Sequence, residues 1–123
     1  MISFDFNPDK GIYFVKYDGL IAMHDMLEYM RTFTEFTSEV KEIKILEDAR
    51  QGSITSDFTD IDVVMENFIE YSKHREMVVI ATIQDKPVET ALNLLFQSKL
   101  DLPNHHYKVF STEEAALKWI ESF

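Results

Sequence analysis

The 123-residue chain has no cysteine. It therefore has no disulfide framework, no thiolate metal site and no thiol nucleophile. Glycine and proline are scarce, three of each, which excludes collagenous, linker-rich and low-complexity architectures. No apolar run approaches the ~20 residues that a membrane-spanning helix needs. Basic residues are also few: 12 Lys and Arg stand against 22 Asp and Glu, a formal charge of −10. Nucleic-acid binding needs clustered Lys and Arg to displace counterions, and here they are scattered, so nucleic acid is not an expected partner. The same charge opposes docking on anionic lipid, so no membrane partner is expected. Residues Met1 to Lys10 carry Asp5 and Asp9 and show neither a basic nor an apolar leader region, so a cytoplasmic location is expected.

What remains is a chain of ordinary apolar content, 46%, at a length that suits one domain over residues 1–123. Ile2, Phe4 and Phe6 alternate with polar residues and predict a half-buried edge strand. A turn cluster from Asn7 to Gly11 leads into a second strand, Ile12 to Tyr17, which Asp18-Gly19 is expected to end. Met23, Met26, Leu27, Met30 and Phe33 recur at helical spacing and predict a first helix near residues 21–37. Ile43 to Asp48 reads as a third strand, followed by a polar loop starting at Gln51-Gly52-Ser53. Thr59 is the expected cap of a second helix with Ile61, Val64, Met65, Phe68 and Ile69 on its apolar face.

The β-branched run Met77 to Ile83 suits a central strand covered on both faces. Pro87 suits the first turn of a third helix, whose apolar residues are Val88, Ala91, Leu92, Leu95 and Phe96. A short fifth strand, Tyr107 to Phe110, precedes a last helix with Ser111 and Glu114 as its capping box and Ala116, Trp119, Ile120 and Phe123 inward. The order is ββαβαβαβα. Helical crossovers demand parallel strands, so the expected fold is an α/β, five-stranded, mostly parallel sheet with an antiparallel first strand.

This order resembles the STAS superfamily, the anti-sigma-factor antagonist-like (SpoIIAA-like) fold, over nearly the whole chain. The run Val109 to Ile120 is similar to that family's closing strand and helix, and Ile45 to Arg50 to its third strand, which typically ends in Asp. The resemblance is to a divergent, small bacterial branch. It implies a non-enzymatic regulatory role: binding a protein partner and, in relatives, a nucleotide or an apolar ligand. Regulatory members carry a phosphorylated Ser or Thr in an Asp-Ser-Ser/Thr-Gly-type motif after the third strand. Here the matching stretch, Gln51 to Thr59, offers hydroxyls without the motif.

Candidate positions follow. Asp48, Arg50, Ser53, Thr55 and Ser56 form the expected regulatory or binding segment after the third strand. Ligands in parallel α/β sheets bind beyond the carboxyl ends of the strands, so Asp18, Asp48, Asp85 and Ser111 are expected along one rim. Asp and Ser also end strands and cap helices for purely local reasons. Acids at the start of the second helix, with Lys73, His74 and Arg75 at its end, match the helix dipole. The four histidines lack metal-ligand spacing, and no cofactor or metal is expected. Three functions stay open: a regulatory domain that binds a protein partner, a carrier for a small apolar or lipid-like ligand, and an enzyme using the acidic rim. A homodimer is open as well.

Overall fold

A computed structural model describes residues 1–55 and 60–123. The elements run β1 (Ile2–Asn7), β2 (Ile12–Ile21), α1 (Met23–Phe36), β3 (Glu42–Ile54), α2 (Ile61–Ser72), β4 (Met77–Ile83), α3 (Pro87–Lys99), β5 (His105–Phe110) and α4 (Glu113–Ile120). The sheet order is β1-β2-β3-β4-β5, antiparallel between β1 and β2 and parallel thereafter. The expected α/β architecture and element order are therefore found. The β1–β2 hairpin turns on Gly11, whose φ of +67° favours glycine and whose N–H donates to the Asn7 carbonyl at 2.8 Å.

Because each crossover advances one strand in the same direction, right-handedness places α1, α2 and α3 together on one face. They cover Ile43, Ile45, Val78 and Ile80 from that side. The opposite face carries Ile12, Leu46, Val79, Ala81 and Ile83, and α4 closes it with Ala116 and Ile120, both fully buried. β4 is apolar on both faces because both are covered.

Several elements depart from the sequence expectation. β2 does not end at Asp18-Gly19. It passes through a register shift between Lys16 and Asp18 and continues to Ile21. β3 likewise continues through Gln51-Gly52-Ser53 to Ile54, pairing Gly19 with Gly52 and Ile21 with Ile54. β4 stops opposite Asp48, so this ribbon has β2 on one side only. The β3 carbonyls left over are taken by a side chain: the Lys86 ammonium donates to the carbonyls of Arg50 and Gly52. Gly52 is required by a close approach, since a Cβ there would lie 2.8 Å from Cβ of Tyr17.

Two caps shift. Asp60 caps α2, accepting from the Asp62 N–H at 2.9 Å, while Thr59 lies outside the described residues. Thr112, not Ser111, caps α4 by accepting from Ala115. α3 is rotated from its expected face: Val88 and Leu95 are exposed, and Glu89, Leu92, Asn93 and Phe96 turn towards the sheet. Arg75 is no helix-end dipole partner. It is buried after α2, donating to the carbonyls of Thr37 and Val40 and to Thr37 Oγ1.

Candidate functional site

Strand alternation sends Ile43, Ile45, Glu47 and Ala49 of β3 to the face beneath α1, α2 and α3. The helices do not fill that face completely. A cavity of about 150 Å³ remains, with apolar walls that include Met26, Met30, Ile45, Val64 and Phe96. Methionine suits such walls because its unbranched side chain adapts to irregular space. A void of this size can hold a molecule of the benzene class.

The polar floor of the cavity is Glu47. Thr82 Oγ1 donates to Oε1 at 2.8 Å, and the hydroxyls of Tyr17 and Tyr29 donate to Oε2 at 3.1 and 3.4 Å. Thr82 is opposite Glu47 in the β3–β4 register, which explains the short bond. Burial pushes the Glu47 carboxyl above its ordinary value, against the pull of the three hydroxyls, which favour the charged form. Burial and the neighbouring carboxylate also push the Tyr17 and Tyr29 phenols up, so both stay protonated as donors. Tyr107, raised for the same two reasons, accepts from Asn93 Nδ2 at 2.8 Å. None of the ion pairs among the described residues includes Glu47.

The residues anticipated from sequence lie outside the Glu47 cluster. Asp48 and Arg50 form a two-pronged pair, Nε to Oδ1 at 2.9 Å and Nη2 to Oδ2 at 2.8 Å, which holds the Asp48 carboxyl below its usual range. They lie on the α4 face of β3, away from the cavity. Ser53 lines the cavity; Thr55 follows β3, its N–H donating to the Ile21 carbonyl at 3.1 Å; Ser56 lies outside the described residues. Part of the expected rim comes together: Asp48 pairs with Ile83, the last residue of β4, which pairs with Phe110, so Asp48, Asp85 and Ser111 lie at the same end of the sheet. Asp18 and Asp48 sit within extended strands, and only Asp85 and Ser111 follow the ends of β4 and β5, both exposed. Among the described residues no three His, Asp or Glu side chains form a group able to hold a metal ion. No helix there is long and apolar enough to cross a membrane.

Sequence reasoning missed Glu47, Lys86 and Asn93. Glu47 did leave a signal. In the alternation Ile43, Ile45, Glu47, an acid occupies the face of the expected third strand that two apolar residues mark as inward. A charge at such a place is a local conflict of the kind that marks functional sites. Asn93 left none, because the apolar residues of α3 point to a different face.

The profile of the SpoIIAA-like family matches residues 12–121. Among solved structures, the chain is similar to an uncharacterised protein of the DUF3478 family with a SpoIIAA-like fold, from Shewanella loihica PV-4. The TM-score is 0.65 at 16% identity, covering 98% of this chain and 92% of that one. It is also similar to the anti-sigma factor antagonist SpoIIAA in its unphosphorylated form, with a TM-score of 0.57 at 9% identity over the full length of both chains. A search of curated proteins finds no match.

Proposed function

The chain belongs to the SpoIIAA-like family, and on that premise we propose that it is a non-catalytic binding domain that takes up a small, largely apolar ligand between the sheet and helices α1, α2 and α3. The observation that carries this reading is the cavity itself: about 150 Å³ of space with mainly apolar walls and the hydrogen-bonded Glu47 cluster at its floor. Pockets for small ligands have this composition, mostly apolar with a few convergent polar groups. The strand-end residues Asp18, Asp85 and Ser111 are exposed and line no part of this cavity.

A regulatory role is the second part of the reading. The similar protein SpoIIAA is named for antagonising an anti-sigma factor, and the shared fold supports a protein partner here too. The segment from Asp48 to Ser56 would then contribute through the surface around the Asp48–Arg50 pair, with Ser53 reporting on the cavity behind it.

Native mass spectrometry of gently purified protein, with thermal shift against benzene and hexan-1-ol, tests the ligand reading. A noncovalent adduct lost on denaturation, or a rise in Tm that grows with probe concentration, is the expected result. A clean apo mass in every preparation, with no shift for either probe, would overturn it.

A further inference from the structure

The Glu47 cluster carries more than a polar floor. A carboxylate offers about four lone-pair directions, and three hydroxyls occupy three of them. The free direction belongs to Oε1, which among the described residues accepts only from Thr82. Glu47 is 9% exposed, and nothing cationic pairs with it among the described residues. A buried guanidinium does line the same cavity, but it is engaged elsewhere. Arg75 lies two residues before Met77, which pairs with Glu42, so it sits at the far end of the strands from Glu47. Its nitrogens are taken by Thr37 and Val40. A buried carboxylate without a countercharge is costly, and a bound cation offsets that cost.

We propose that this cavity recognises a primary amine, an alkyl- or arylammonium compound whose head meets Oε1 of Glu47 and whose apolar body lies among Met26, Met30, Ile45 and Phe96. The inference rests on the ligand reading above and names its chemical class. Two further features favour a cation over an anion or a neutral head. The hydroxyls of Tyr17 and Tyr29 are neutral donors to Oε2 and leave the charge of the carboxylate uncompensated. The net charge of −10 draws cations toward the protein and repels carboxylates. A fatty acid would set a second carboxylate against Glu47. An alcohol would take the free lone pair but leave the charge uncompensated.

The test is isothermal titration of the full chain with three probes of equal chain length: hexylamine, hexan-1-ol and hexanoate. The amine is expected to bind at least about tenfold more tightly than the alcohol, with hexanoate weakest. E47Q is expected to abolish the amine preference, leaving the amine and alcohol affinities within about twofold of each other, since the walls that hold both hexyl chains are unchanged. Tyr29→Phe, which keeps the carboxylate, is expected to retain the preference, and it decides the matter if E47Q fails to fold. Equal binding of all three probes overturns the amine inference and leaves the cavity reading standing, as does a preference that survives in E47Q or is lost in Tyr29→Phe. Binding of none of the three overturns both.

Discussion

Replacing Glu47 by Gln removes a buried charge while keeping the side-chain shape, so it isolates what that charge does to folding. The carboxamide oxygen can still accept from the tyrosine hydroxyls, and its NH₂ can donate to Thr82, whose hydroxyl both gives and accepts. The rearrangement loses the equivalent of one good hydrogen bond, about 0.5–1.5 kcal/mol. Against that stands the pH term. Burial holds the folded carboxyl above its unfolded value, so the folded state keeps a proton that the unfolded state has already released. The stability tied to that proton is fully present below the unfolded pKa of about 4.3. It is lost as pH rises through the higher folded value. The Gln variant has no such loss. At a pH of about 4 it should be less stable than the parent by about 1 kcal/mol, and the deficit should shrink steadily as the pH is raised toward about 8. Urea melts of both proteins across that range measure the difference, and subtracting one from the other cancels the remaining carboxylates. A deficit that stays constant or widens with pH would refute the claim that burial penalises this charge.

Two further substitutions separate the faces of the sheet. Gly52→Ala drives a methyl to 2.8 Å from Tyr17 Cβ, so Tyr17 or the β2–β3 ribbon must move; a loss of about 1–3 kcal/mol is expected in urea melts, together with weakened binding of hexan-1-ol in the neighbouring cavity. Ile120→Ala removes a fully buried side chain from the α4 face and should cost about 2–5 kcal/mol, yet leave alcohol affinity nearly unchanged, since the cavity lies on the other side of the sheet. Loss of binding in the folded Ile120→Ala protein would show that the two faces are not independent.

How far the sequence was legible varies with the kind of physics involved. Local periodicity reports burial faithfully where one partner surface dominates. The Met26, Met30, Phe33 stripe of α1 and the Ala116, Ile120 pair of α4 both turn inward as their spacing predicts. It fails on α3, where apolar Val88 and Leu95 face out while Glu89 and Asn93 face the cavity. There the helix is oriented by how it leaves β4 and enters β5, and hydrogen bonds such as Asn93 to Tyr107 make polar inward positions tolerable. The ends of β2 and β3 were hidden for a related reason. Asp18-Gly19 and Gln51-Gly52 read as turns in isolation, but each strand supplies the other's hydrogen-bonding partner and Lys86 satisfies what remains.

By itself the sequence determined the architecture: alternating strand and helix periods with short connections permit essentially one right-handed, mostly parallel sheet. It also excluded thiol chemistry by composition. The site was decided only in three dimensions. Glu47, Tyr17, Tyr29 and Thr82 come from three different strands and a helix, separated by up to 65 positions, and nothing in their spacing binds them together. Parallel pairing brings Thr82 beside Glu47, the close approach at Gly52 seats Tyr17, and the crossover of α1 lowers Tyr29 onto the same carboxylate. The cavity above them exists because three helices meet one face of a twisted sheet without filling it, a property of packing that no single segment contains.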